Sequence, residues 1–274
     1  MDKQYNIGIF DSGFGGLTIL KEIVKQLPTY NYIYLGDNAR APYGNRSFET
    51  VYKYTLEAVQ KLFEMDCNVI ILACNTASAK ALRTIQQNDL DRIAPGKRIL
   101  GVIRPSTEAV ESLSKTKHIG ILGTIGTVKS ESYVIEIKKM FPTINVEQEA
   151  CPMWVPLVEN DEYYNDGANY FIKKNIDNLL EKDNNIDTII LGCTHYPLLL
   201  EKIKQYVPKG ITIVNQGEIV AKSLKDYLKR HPELELNCIK DSNRQFFTTD
   251  STENFNVMGS KFLGEKIISK IIIL

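Results

Sequence analysis

The chain has 274 residues, of which 43% are hydrophobic and 24% charged, with Lys+Arg and Asp+Glu both totalling 33. That length is ample for one large domain or two ordinary ones, and the even charge balance offers no basic excess for nucleic acid or an anionic membrane surface. Five cysteines at irregular spacing form neither a disulfide framework nor a zinc pattern, so a reduced, cytoplasmic protein is expected.

The N-terminal residues run straight into an apolar strand over residues 5–10, without the apolar core of a signal peptide. The strand ends in Asp11-Ser12-Gly13-Phe14-Gly15-Gly16-Leu17-Thr18, a tight Gly-rich turn opening a helix to about Lys25. Backbone N–H groups there could approach an anion. The spacing is not that of a nucleotide-binding loop, however, and Asp11 would repel phosphate. A small ligand carrying carboxylate and ammonium groups suits the turn better. A second strand over residues 30–35 leads to Pro42-Tyr43-Gly44, read as a rigid loop presenting an aromatic hydroxyl and bare amides. Ser47 can cap a helix reaching roughly Met65. The strand over 68–72 delivers Cys74-Asn75-Thr76, and a helix follows over 77–87.

A strand over 98–103 reaches Arg104-Pro105-Ser106, with a helix over 107–113. There the pattern restarts. Residues 118–127 echo the first strand and turn 112 positions later, and the strand before Cys193 follows the strand before Cys74 by 119. A duplicated α/β unit is expected. Residues 150–159, with the single Trp, read as a loop entering a helix from which Glu159 could face the site. The apolar run 187–190 then closes on Leu191-Gly192-Cys193-Thr194-His195-Tyr196-Pro197. A helix (198–206), a strand (210–214) and a helix (219–228) follow. Short strands are expected over 245–248 and 255–258, a last helix from about Ser260, and a buried helix or strand at the apolar end 267–274, too short to span a bilayer. Strands alternating with helices imply parallel sheets covered on both faces.

The chemistry centres on the two strand-end cysteines. Open α/β sheets bind ligands beyond the carboxyl ends of their strands. Two thiols at equivalent ends of related units could approach one ligand from opposite faces, which is what stereoinversion at a carbon requires: one group removes a proton, the other delivers one. Thiols suit this role because their free pKa of about 8.5 falls near cations or helix starts. Asn75, Thr76 and Thr194 are candidate donors to the carbanion, and His195 could tune the Cys193 sulfur. Cys67, Cys151 and Cys238 lack this context and read as structural, and His118 reads as inert.

The motifs around Asp11, Pro42-Tyr43-Gly44, Ala73-Cys74-Asn75-Thr76-Ala77, Gly126-Thr127-Val128 and Gly192-Cys193-Thr194-His195-Tyr196-Pro197 together resemble the cofactor-independent aspartate/glutamate racemase family, and within it the glutamate racemases. That resemblance implies two flavodoxin-like, doubly wound α/β domains related by pseudo-symmetry, with the active site in the cleft between them. It places residues 1–97 and 210–274 in the first domain and 98–209 in the second. It implies interconversion of L- and D-glutamate for peptidoglycan synthesis, with neither pyridoxal phosphate nor metal, and carries over the family's frequent homodimer. Cys74 would take the α-proton of D-glutamate and Cys193 that of L-glutamate. Asp11 and His195, with Glu159, would assist the thiols. Asp11, Ser12, Pro42, Tyr43, Gly44, Asn75, Thr76, Thr194 and His195 would hold the substrate, with Thr124 and Thr127 lining the site. Two positions depart from the pattern: Ser106 stands where Gly is expected, and Asn215 where Asp is expected. Three alternatives remain open at this level: a racemase of aspartate or another amino acid, a redox protein pairing Cys74 with Cys193, and a non-catalytic amino-acid-binding protein.

Overall fold

The structure, a computed structural model, describes residues 4–274; residues 1–3 of the expected first domain lie outside the described residues. Ten strands are present among the described residues: β1 (Asn6–Asp11), β2 (Tyr32–Gly36), β3 (Cys67–Leu72), β4 (Arg98–Gly101), β5 (His118–Gly123), β6 (Asn145–Ala150), β7 (Thr188–Gly192), β8 (Thr212–Val214), β9 (Arg244–Thr248) and β10 (Ser269–Ile271). They form a six-stranded sheet ordered β10-β9-β2-β1-β3-β4 and a four-stranded sheet ordered β6-β5-β7-β8. Every pairing is parallel. The central strands β3 and β7 are unbroken runs of buried residues, and β1 is buried from Ile7 onward, as strands covered on both faces require.

The order β2-β1-β3-β4 repeats as β6-β5-β7-β8. Phe10 pairs with Leu72 in one sheet, and Leu122 pairs with Leu191 in the other. The 112- and 119-residue echoes therefore fall on structurally equivalent positions, and Cys74 and Cys193 each lie two residues past the equivalent leucine. One apolar cluster runs through both units, from Ile9, Leu17 and Tyr34 to Trp154, Leu179 and Cys193. Trp154 is fully buried and meets Tyr196 edge-on at 4.7 Å, a geometry worth about 1 kcal/mol beyond its area. This shared core holds the carboxyl ends of the two sheets against a common cleft.

Several boundaries differ from the sequence reading. β4 pairs with β3 and β8 with β7, so the sheets assign 98–101 to the first unit and 212–214 to the second, unlike the expected cuts at 97/98 and 209/210. Arg104-Pro105-Ser106 lies in the first turn of the helix Ile103–Leu113, where a proline lacks only an N–H that the helix would leave unpaired. The helix expected over 77–87 breaks at Ala81 into Asn75–Lys80 and Leu82–Asn88. Residues 255–258 are helical, not a strand, within Thr252–Leu263. Phe255, Met258, Gly259, Phe262 and Leu263 are its buried residues, a 3.6-residue period rather than an alternation, and Ser251 caps it by accepting from the Asn254 N–H. The C-terminal end forms the edge strand β10, with Ile271 and Ile273 largely exposed rather than buried. No helix of the described residues is long and apolar enough to cross a membrane.

Candidate active site

β3 ends at Leu72, and Cys74 is the cap of the helix Asn75–Lys80. Its sulfur accepts from the Ala77 N–H at 3.5 Å and lies 3.5 Å from the Ser12 hydroxyl. A thiol in a capping position follows from the sequence: the strand stops at small residues, and the chain turns at once into Asn75-Thr76-Ala77. Burial dominates its electrostatics and pushes the thiol up to about 12, with Asp11 and Cys193 adding to the rise and the Ser12 and Ala77 hydrogen bonds opposing it. Its surroundings thus favour the protonated thiol.

Cys193 sits differently. Its sulfur lies 3.9 Å from His195 Nδ1, and the opposite ring nitrogen is 3.0 Å from Glu159 Oε1. Burial alone would favour neutral imidazole, but the contacts with Cys193 and Glu159 overcome it and raise His195 to about 10. The cleft therefore contains an imidazolium beside one sulfur. Asp11, wholly buried, accepts from the Gly13 N–H at 2.9 Å and from the Thr194 hydroxyl at 3.5 Å. Burial raises its carboxyl pKa, partly offset by His195 and the Gly13 and Gly16 N–H groups.

The Gly-rich turn has a use its sequence did not disclose. A Cβ on Gly15 would lie 2.2 Å from Thr194 Oγ1 and 2.6 Å from His195 Nδ1. The turn is bare so that the second unit's Thr194-His195 can dock on it, and the Thr18 hydroxyl accordingly donates to the Thr194 carbonyl at 3.0 Å.

One cavity is lined by Ser12, Pro42, Tyr43, Gly44, Cys74, Asn75, Thr76, Thr124, Glu159, Cys193, Thr194 and His195, all expected from the sequence. Asp11 and Thr127 stand behind this wall: Asp11 contacts Thr194, and Thr127 lies 3.4 Å from Thr76 and 3.1 Å from Thr124 across a cluster of three hydroxyls. Tyr43 departs from expectation. Its ring is buried and its hydroxyl donates to Asp37 rather than being presented to the cavity. Asp37, also fully buried, accepts from Arg40 Nε at 2.7 Å and from the Thr249 hydroxyl at 2.9 Å. The Gly36-Asp37 step at the end of β2 was the available signal for this residue. Cys151, read as structural, also lines the cavity beside Pro152 and Val155. All five cysteines are free thiols.

Both departures find a role. Asn215 caps the helix Gln216–Arg230 by accepting from the Gly217 N–H at 3.4 Å, a task Asn performs as well as Asp. The Ser106 hydroxyl accepts from Gln216 Nε2 at 2.8 Å and donates to the Val102 carbonyl at 3.0 Å. A larger cavity of about 560 Å³ is lined by Lys80, Arg83, Arg104, Glu136 and Arg230 among others. It contains no thiol or imidazole, so the chemistry belongs to the smaller cleft.

Residues 7–224 match the Asp/Glu/Hydantoin racemase family. The chain is 39% identical to a glutamate racemase of Geobacter metallireducens, over 95% of this chain and 93% of that one. Among solved structures it is similar to glutamate racemase isoform RacE1 of Bacillus anthracis, with a TM-score of 0.89, 35% identity and coverage of 99% and 98% of the two chains. It is likewise similar to the Francisella tularensis glutamate racemase solved in complex with D-glutamate, with a TM-score of 0.87, 30% identity and coverage of 99% and 97%.

Proposed function

The chain belongs to the Asp/Glu/Hydantoin racemase family, and from that membership we propose that it interconverts L- and D-glutamate by acid/base chemistry at two cysteines. The observation that carries this reading is the convergence of Cys74 and Cys193, from equivalent strand ends of two related units, on one cavity. His195 sets a positive charge beside the Cys193 sulfur, where it can offset charge that develops during the reaction. In the L-to-D direction the Cys193 sulfur takes the α-proton. The electron pair moves into the α-carboxylate as an enediolate, and the Cys74 thiol delivers its proton to the opposite face. The reverse reaction exchanges the roles.

The groups around the sulfurs suit this task. The Ser12, Thr76 and Thr124 hydroxyls offer donors to the charge that develops. Asp11 and Glu159 bracket His195 electrostatically. A carboxylate near the cleft also suits an ammonium group. We place the reaction in the cytoplasm, supplying D-glutamate for peptidoglycan synthesis.

Proton NMR of L-glutamate in deuterium oxide, with the wild type, Cys74→Ser and Cys193→Ser, tests the proposal. Deuterium should enter the α-position with loss of optical rotation, and either substitution should stop racemisation by at least about 10²-fold. Glutamate binding without exchange would leave a binding protein. Faster turnover of aspartate than glutamate would keep the chemistry and move the substrate.

A further inference from the structure

Beneath the cleft lies a closed ring of buried polar side chains drawn from separate elements. Asn75, the first residue after Cys74, donates from Nδ2 to Gln216 Oε1 at 2.7 Å. Gln216 donates from Nε2 to the Tyr133 hydroxyl at 2.6 Å and to the Ser106 hydroxyl at 2.8 Å. The Tyr133 hydroxyl returns its proton to Asn75 Oδ1 at 2.7 Å, closing the circuit. The four side chains are all buried, none more than 2% exposed. The directions are fixed: Ser106 uses its own proton on the Val102 carbonyl and so accepts from Gln216.

The ring touches both sulfur-bearing strand ends. Asn75 starts the helix that Cys74 caps. On the other side, the Tyr133 ring edge lies 3.3 Å from where a Cβ on Gly192, the residue before Cys193, would stand. The helix Ser132–Met140 and the start of the helix Gln216–Arg230 thus link Asn75 to the floor under Cys193. Thr194, the residue after Cys193, bonds to Asp11 instead, so the ring's hydrogen bonds end on the Cys74 side and only the Tyr133 packing contact reaches the Cys193 side.

We propose that Gln216, with Tyr133 and Ser106, is a positioning group that sets Asn75, and with it the Cys74 sulfur, at the reach needed to exchange a proton with the α-carbon while Cys193 works from the other face. This rests on the two-thiol reading. A satisfied buried network has one low-energy arrangement and is costly to leave half-paired, which is what a fixed separation between two acid/base groups demands. A misplacement of about 1 Å can cost up to about 10²-fold in rate.

The test uses Gln216→Met and Tyr133→Phe, with Ser106→Ala as the milder member, and substrates deuterated at the α-carbon. The two enantiomers have equal free energy, so kcat/KM must fall equally in both directions, by about tenfold for the first two variants. The isotope effects separate the steps. A displaced Cys74 makes its own proton transfer more rate-limiting, so the effect on deuterated D-glutamate should rise while that on deuterated L-glutamate falls. Unchanged isotope effects with a lower rate would make the ring merely structural and overturn the proposal, as would an unchanged rate. If Gln216→Met fails to fold, Tyr133→Phe carries the same test, since it breaks the ring without changing its packing against Gly192. The two-thiol reading fails separately, in the wild type, if no isotope effect is seen or if Cys74→Ser still racemises.

Discussion

Replacing Glu159 by Gln removes one charge from the cleft while keeping the shape of the side chain. In the wild type Glu159 Oε1 is 3.0 Å from His195 Nε2, and the histidine is raised from 6.5 to about 10. That rise corresponds to about 5 kcal/mol in favour of imidazolium, shared between Cys193 and Glu159. The histidine side chain is 6% exposed and the glutamate 26%, so solvent screens the pair only partly. A neutral amide should forfeit the Glu159 share of this and bring His195 down from its wild-type value. The sign follows from a folded pKa above the unfolded one. The stabilisation from protonated His195 is complete below about 6.5 and is lost as pH rises through about 10 in the wild type, and earlier in the variant. Glutamate racemisation should therefore keep its rate to near pH 10 in the wild type, whereas the alkaline limb of kcat/KM for Glu159→Gln should begin about one pH unit or more lower. Chemical denaturation should show the variant less stable than the wild type at pH 7, with the gap narrowing at pH 9.5 as the wild-type histidine nears its own pKa. Superimposable pH profiles would refute the assignment of His195 as the cation that serves Cys193.

Other substitutions probe the remaining parts of the site. Gly15→Ala would drive a methyl into Thr194 and His195 and should lower racemisation about 10²-fold with a loss of about 1–3 kcal/mol in stability; full activity would show that the turn and the second unit do not need close contact. Asp37→Asn should weaken the hold on Tyr43 and Arg40, costing about 3 kcal/mol and raising KM, read by thermal melting and initial rates. Cys151→Ala should retain most of the activity despite lining the cavity, in contrast to Cys74→Ser and Cys193→Ser; exchange into glutamate followed by NMR distinguishes them.

The sequence by itself carried the strand ends and what stands on them. An apolar run followed by a small residue, Cys and polar groups is local information, and the direction of a strand decides that those groups emerge at its carboxyl end. The repeat of that grammar was enough to pair Cys74 with Cys193, because equivalent units place equivalent ends alike. Helix caps were legible for the same reason: Ser47 meets the Thr50 N–H three residues away. The one helix misread as a strand, around Phe255, carried its 3.6-residue period in plain view within a mostly polar stretch.

Tertiary structure alone decided which partner each buried polar group met. Gly15 is bare for the sake of Thr194, nearly 180 positions later, and Tyr43 turns its hydroxyl to an aspartate rather than to the cleft. Asn75 meets Tyr133 and Gln216 only because separate helices dock beneath it. Spacing along a chain fixes the face on which a side chain emerges. What it touches there depends on how distant elements pack, and that packing is set by an apolar core shared between the two units.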